Sequence, residues 1–245
     1  MGLIRRLRAS LPGPVRRLLR PLYQVSQLWR TKYDAEFAYW VSQFEAAGGR
    51  FPNDYYRTLL LAIAQEPDEA FLDGSTVADF GCGPQGSLAW AGSARVRLGL
   101  DVLADRYFDR FGACMATHGM VYVRTTEHAI PLPSRSVDVM FTMNALDHVD
   151  DLDAMCREIL RVLRPGGELI GSFNLDEPPT TTEPQHLDER RLRAVLLDRL
   201  EVRSCRFARR GPERDLYANF APGREPYVPG EPGFMWVRAL KPASG

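Results

Sequence analysis

Residues 76–86 read T-V-A-D-F-G-C-G-P-Q-G, a short apolar run that leads straight into Gly81-x-Gly83-x-x-Gly86. Val77, Ala78 and Phe80 suit a buried strand, and a helix is expected from Ser87, so the order is strand, glycine turn, helix. That order is the first crossover of a nucleotide-binding α/β sheet. Gly81 permits the sharp turn, Gly83 lets a ligand approach the main chain, and Gly86 lets helix and strand pack closely. The next apolar run, 96–100, ends in Asp101, twenty residues after Gly81. A carboxylate there accepts hydrogen bonds from two ribose hydroxyls. The plainer alternative is a structural turn followed by a solvated acid, and the spacing weighs against it.

Outward from this stretch the chain alternates. Strands are expected near 77–80, 96–100, 120–124, 137–143 and 168–174, with helices near 87–94, 104–116 and 151–163 between them. Such alternation implies a largely parallel sheet covered by helices. Arg164-Pro165-Gly166-Gly167 reads as a sharp stop and turn before the last of these strands. Beyond it come a polar, proline-rich loop over 176–185, a helix near 187–199, and two strands, 201–208 and 234–240, separated by a Gly/Pro-rich excursion. The last two strands are expected to pair as an antiparallel hairpin at the sheet edge.

Ahead of the core, Tyr33, Phe37, Trp40 and Phe44 recur at helical spacing before Gly48-Gly49, and a second helix is expected from Asp54 to Gln65 with Leu59, Leu60 and Ile63 inward. Most such stripes are packing. Their position before the first strand also lets them fold over the cleft as a lid with an aromatic wall. The expected organisation is a basic amphipathic arm over 1–32, a helical cap over 33–73 and a ligand-binding α/β domain over 74–245.

At 245 residues and 45% hydrophobic content, the chain can bury one substantial core. A formal net charge of zero argues against a general nucleic-acid binder, whose footprint is a basic excess. The average hides an asymmetry: residues 1–33 hold seven arginines and Lys32 with no acid. Pro12, Pro14 and Pro21 divide this arm into short pieces. A basic amphipathic helix can lie on an anionic membrane surface, so peripheral membrane contact through residues 1–30 is one expectation, and a helical arm packed on its own domain is the other. An Arg-rich, acid-poor leader is also the composition of a transit peptide. Cys82, Cys114, Cys156 and Cys205 form no C-x-x-C pair and read as reduced thiols in a cytoplasmic protein. No apolar stretch approaches the ~18 residues of a membrane span.

Five stretches together carry a family resemblance: V-A-D-F-G-C-G-P-Q-G (77–86), G-L-D (99–101), I-P-L-P-S-R-S-V-D-V-M-F (130–141), N-A-L-D-H-V-D-D (144–151) and R-V-L-R-P-G-G-E-L (161–169). In these the chain resembles the class I S-adenosylmethionine-dependent methyltransferases, over roughly the central 40% of its length. The resemblance implies a Rossmann-like sheet, mostly parallel with a C-terminal antiparallel hairpin, behind an N-terminal helical cap. It implies S-adenosylmethionine as cofactor, with Asp79, Gly81 and Gly83 around the methionine end and Asp101 on the ribose. The family's adenine contact is an acid or small residue after the third strand; the usual acid aligns with Thr126, so the contact falls to Glu127 or its neighbour's backbone. Asn144 and the residues after it should face the transferred methyl.

A sulfonium is already an excellent leaving group, so the remaining task is to hold an acceptor in line with it. A hydroxyl acceptor also needs a base. By position His148, with Asp147 beside it, is the candidate, its ordinary pKa of ~6.5 suiting proton removal near neutrality; the alternative is that this histidine only supports its loop. Asn144-x-x-Asp147-His148 with the later His186 is similar to the Glu-x-x-Glu-His plus distant His set of metal-assisted methyltransferases, which implies a divalent ion on Asp147, His148 and His186 as Lewis acid. The match departs from that set in having Asn for the first Glu and Asp for the second. Asp151 directly precedes a helical run and suits a helix cap.

The aromatic cap and threonine-rich loop suit a small-molecule or sugar-bearing (glycan) acceptor, and O-methylation leads over N- or C-methylation. Nucleic acid is not expected as a partner. Two rivals stand beside this reading. A nicotinamide dehydrogenase shares the glycine turn and strand-end acid, and a non-catalytic methyltransferase fold would keep them as a binding scaffold.

Overall fold

The computed structural model describes residues 32–211, 218 and 226–243. Apart from Lys32, the basic arm and its expected membrane contact lie outside the described residues, as does most of the 211–233 excursion. Seven strands among the described residues form one sheet: β1 (Thr76–Phe80), β2 (Val96–Asp101), β3 (Val121–Arg124), β4 (Val137–Met143), β5 (Leu163–Leu175), β6 (Glu201–Arg209) and β7 (Gly233–Leu240). Their order is β3-β2-β1-β4-β5-β7-β6. The first five pair in parallel, while β7 runs antiparallel to both β5 and β6. The mostly parallel sheet with a terminal hairpin is therefore as the sequence implies. Central β1 is buried at every residue, which is why its five residues carry only one charge, Asp79. The strand order reverses between β1 and β4, so a crevice opens beyond the carboxyl ends of those two strands.

Helix α1 (Lys32–Ala46) carries the expected aromatic stripe, and it docks on α3 (Ala104–Met115). The Phe44 ring lies 4.9 Å from Phe111 and 5.0 Å from Phe51, centroid to centroid, and Phe37 stacks on Tyr107 at 6.1 Å. Helix α2 (Tyr55–Ala64) turns Leu60 and Ile63 completely inward, against a cluster that contains Phe141 and Trp236. Each such side chain contributes about 1.5–3 kcal/mol by leaving water. Arg238 on β7 fastens the end of α2, donating to the Ala64 carbonyl at 2.7 Å and to Glu66 at 2.6 Å. Helix α4 (Leu152–Val162) starts as expected at Asp151, whose carboxylate accepts from the Ala154 amide at 2.8 Å. A short α5 (Glu189–Val195) precedes the hairpin.

Two local expectations are corrected. No helix follows Gly86; residues 87–94 form successive turns. The reason lies in side-chain competition for the backbone: Arg97 donates to the carbonyls of Ala89 at 2.8 Å and His118 at 3.3 Å, and Glu69 accepts from the Gly92 amide at 3.2 Å. Arg164-Pro165-Gly166-Gly167 is not a stop but a bulge within β5. Gly166 takes φ 74°, the pairing with β4 slips between Val137 and Val139, and Gly166 and Gly167 bond to Lys241 across the sheet at 2.8 Å.

Candidate active site

A cavity of about 570 Å³ opens in that crevice, within the ~300–1,000 Å³ range of small-molecule sites. Its floor is the glycine turn. Gly81 takes φ 72° and Gly83 φ 55°, backbone that a side chain rarely adopts. A Cβ on Gly81 would collide with the Cβ of Ala145, and one on Gly83 would stand 2.9 Å from Cζ2 of Trp40. The missing side chains thus make room for the loop after β4 and for the cap.

Two buried acids frame the floor. Asp101, at the end of β2, accepts from the amide of Gly83 at 3.0 Å through Oδ2 and from the amide of Leu103 at 2.8 Å through Oδ1. It therefore shapes the glycine turn itself, and each oxygen keeps a lone pair for a ribose hydroxyl. Burial pushes its carboxyl up to about 6. Asp79, near the end of β1, accepts from Ser87 Oγ through Oδ2, while Oδ1 is buried without a hydrogen-bond partner. Burial, with Asp101 nearby, pushes Asp79 up to about 7 against the pull of Ser87. A buried carboxylate oxygen with no partner, in the wall of a cavity, fits a cationic or N–H group of a ligand, as the ammonium of a bound methionine moiety would be.

At the end of β4, Asn144 takes φ 47°, a left-handed turn that asparagine tolerates. Its amide donates to the Ser172 carbonyl at 2.8 Å and its Oδ1 accepts from Ser172 Oγ at 3.0 Å. A short 3₁₀ turn, Leu146–His148, then brings His148 into the cavity wall. Glu127 also reaches the wall, but its oxygens are engaged: Oε2 accepts from the Asp150 amide at 2.9 Å and Oε1 lies 3.3 Å from Lys32 Nζ. Thr126 lines the same corner.

The cap forms the roof. Lys32, Tyr33, Glu36, Tyr39 and Trp40 of α1 line the cavity, with Tyr55 and Tyr56 of α2 across from them. The hydroxyl of Tyr56 donates to Gln85 Oε1 at 2.7 Å, and Asn53 donates to the Gln85 carbonyl at 3.1 Å, so α2 is fixed to the glycine turn. The aromatic wall expected from the cap's position is present.

Asp147, expected beside His148 as a catalytic group, turns away from the cavity into a small void bordered by Asn174, Glu177 and Glu183. Its Oδ2 accepts from Asn174 Nδ2 at 3.0 Å, and burial pushes its carboxyl up to about 6. The expected metal trio does not assemble. His186 is half exposed and its Nε2 lies 3.8 Å from Asp176, because the loop after β5 points it toward the hairpin side of the chain. Glu183 of that loop comes to the site instead, and one ligand atom each of Asp147, His148 and Glu183 lies within 4.8 Å of the others. Within it His148 lies between carboxylates, Glu36 Oε2 at 3.7 Å from Nδ1 and Glu183 Oε1 at 3.8 Å from Nε2, so negative charge exceeds positive around the ring. Burial alone lowers the His148 pKa, but Glu36, Asp147 and Glu183 together outweigh it and the net shift is upward.

Lys32, Glu36 and Glu183 are the site residues that sequence reasoning missed. For Glu36 a signal existed: it follows Tyr33 by three residues and precedes Trp40 by four, so the three share one helix face. Glu183 sits in an irregular loop where spacing carries no such signal.

Residues 78–171 match a protein-family model described as a methyltransferase domain. Those residues carry a methyltransferase domain of the class I, S-adenosylmethionine-dependent kind. An uncharacterized methyltransferase of Mycobacteroides abscessus is 28% identical to the chain over 134 residues, 51% of this chain and 52% of that protein. The 27-O-demethylrifamycin SV methyltransferase of Amycolatopsis mediterranei is 31% identical over 129 residues, 50% of this chain and 46% of its own. The malonyl-[acyl-carrier protein] O-methyltransferase of Enterobacter lignolyticus is 35% identical over 94 residues, 38% of this chain and 36% of its own. The chain thus spans about half or less of the length of these curated relatives. Among solved structures, a chain of the complex between the Haloferax volcanii Trm112 methyltransferase activator and a methyltransferase superposes with TM-score 0.60 at 19% identity, covering 84% of this chain and 98% of its own. The [4+2]-cyclase SpnF superposes with TM-score 0.56 at 19% identity, over 77% of this chain and 81% of its own. The methyltransferase fold therefore also occurs in a protein named for a different reaction, and the reaction here has to be argued from the site. No helix among the described residues is long and apolar enough to cross a membrane.

Proposed function

We propose that this domain transfers the methyl group of S-adenosylmethionine to a hydroxyl oxygen of a small molecule, with His148 as the group that takes the hydroxyl's proton. The observation that carries the reading is convergence: the glycine turn, Asp79, Asp101 and His148 all border one cavity roofed by aromatic side chains. The cofactor, when bound, supplies an activated methyl on a good leaving group. Everything else falls to the chain. Gly81 and Gly83 let the loop after β4 and the cap close around the cleft, Asp101 takes the ribose hydroxyls, and Asp79 offers its unpartnered oxygen to the ammonium end. The cap excludes water, and the His148 ring stands at the cavity wall to accept a proton. Two of the relatives are named as O-methyltransferases or for an O-demethylated substrate, which supports oxygen as the acceptor atom. The roofed, moderate cavity supports a small acceptor over a macromolecule. No step in this reading passes through a metal ion.

Calorimetric titration with S-adenosylmethionine, S-adenosylhomocysteine and NADH, followed by methyl transfer from a labelled cofactor to a panel of hydroxylated small molecules, tests it. Binding of the sulfonium and thioether but not NADH, with label appearing on oxygen, is the expected result. Binding without transfer to any acceptor favours a scaffold, and binding of NADH alone overturns the reading.

A further inference from the structure

The charges around the cavity are unbalanced. Among the described lining residues, Glu36, Asp79, Asp101, Glu127 and Glu183 stand against a single ammonium, Lys32, and no guanidinium. Lys32 is already committed at the rim, 2.6 Å from Asp150 Oδ1 and 3.3 Å from Glu127 Oε1. Asp79 and Asp101 belong to the cofactor floor. Glu36 and Glu183 do not: they face each other across His148, from α1 and from the loop after β5, with side chains 28% and 34% exposed. Glu183 is held by its loop, its amide donating to Thr180 Oγ1 at 3.0 Å. Among the described residues, the cationic side chain paired with Glu36 is His148. Beside them on α1 are the rings of Tyr33, Tyr39 and Trp40, and the Tyr33 hydroxyl and Trp40 indole N–H are buried without hydrogen-bond partners.

We propose that the acceptor carries an ammonium group beside its hydroxyl, held at the cavity wall by the field of Glu36 and Glu183 against the aromatic face of α1. The inference rests on the methyl-transfer reading and narrows it to a class, hydroxylated amines. Two carboxylates in a partly dehydrated cavity favour a cation and repel an anion, because walls of low dielectric concentrate the field. Aromatic faces add cation–π attraction for the same group. The upward shift of His148 reports the same field acting on an ionisable group already in place. A carboxylate acceptor, by contrast, would enter a space with no free cation among the described lining residues.

Three phenols of equal size and different charge test this on full-length protein saturated with S-adenosylhomocysteine: tyramine, 4-ethylphenol and 4-hydroxyphenylacetate. Calorimetry should show tyramine binding at least tenfold tighter than 4-ethylphenol, and 4-hydroxyphenylacetate weakest of the three. In E36Q/E183Q the tyramine preference should vanish, while retained binding of S-adenosylhomocysteine shows the variant is folded; the single variants E36Q and E183Q should each lose part of it. Equal or tighter binding of the carboxylate, a tyramine preference that survives the double substitution, or no tyramine binding to the loaded protein would each overturn the inference. Failure to bind S-adenosylhomocysteine at all would instead overturn the methyl-transfer reading beneath it.

Discussion

Lys32, the first residue of α1, donates to the backbone carbonyl of His148 at 2.7 Å. The residues lie 116 positions apart, and the bond ties the cap to the loop that carries the proposed base. The same ammonium reaches Asp150 and Glu127, so one side chain closes the corner where α1, the loop after β3 and the loop after β4 meet.

Replacing Lys32 with Met should therefore loosen the roof rather than unfold the sheet. Its side chain is only 11% exposed and its partner Glu127 20%, so the loss leaves a half-buried carboxylate uncompensated, at a cost of about 1–3 kcal/mol. Hydrogen exchange of α1 should rise while that of β1 and β4 stays unchanged. Unaltered protection of α1 would mean that the aromatic cluster alone fastens the cap.

Asp79 should trade stability for binding. Its folded-state pKa of about 7 lies above the ordinary 3.8, chiefly because burial disfavours the charge. A raised acid pKa means that the folded state binds the proton more tightly than the unfolded chain does. The associated stability is full below about pH 4 and is lost as pH rises to about 7. Asp79→Asn removes the charge, so its melting temperature should exceed that of the wild type at pH 8 and match it near pH 4. Binding of S-adenosylmethionine should weaken by roughly 10–100-fold, the worth of a charged hydrogen bond. A variant less stable at pH 8 would show that the Ser87 bond outweighs the burial cost.

How far the site was legible follows from what fixes each part. The sheet was readable because buried parallel strands need continuous apolar runs, and β1, β2 and β4 fall within a residue of their expected bounds. The glycine turn and Asp101 were readable because their backbone demands allow few residue types. The absent helix after Gly86 was not, because Arg97, Glu69 and His118 decide it from outside the segment. Resemblance to a ligand pattern points to His186, whereas the path of an irregular loop delivers Glu183. Side chains that reach a site through tertiary packing leave no periodic trace.

Gly83→Ala should be costly out of proportion to one methyl. Its φ of 55° is strained for alanine, and the new Cβ would stand 2.9 Å from the indole of Trp40. The strain costs of order 1–3 kcal/mol. Adding Trp40→Leu removes the indole but not the backbone strain, so the double variant should recover only part of the lost melting temperature. Full recovery would show that the clash alone matters.

The ionisation of His148 offers the most direct view of the site. The chain has four histidines, so imidazole resonances can be assigned by single substitution and followed through pH. Burial draws the His148 pKa down, while Glu36, Asp147 and Glu183 draw it up further, giving a value above the ordinary 6.5. Other groups face it as well: Asp101 across the cavity, and Lys32 on its carbonyl. A histidine whose pKa rises on folding stabilises the fold fully below about pH 6.5, and that contribution disappears as pH rises through the folded value. In Glu36→Gln one carboxylate is lost without changing shape, so the His148 midpoint should fall while that of His118, which burial lowers, holds. A base must be neutral to act, so the acidic limb of the methyl-transfer rate should move to lower pH by the same amount in this variant. A His148 midpoint that falls with no movement of the rate limb would leave the imidazole as a support for its loop, and the proton would have to leave by another group.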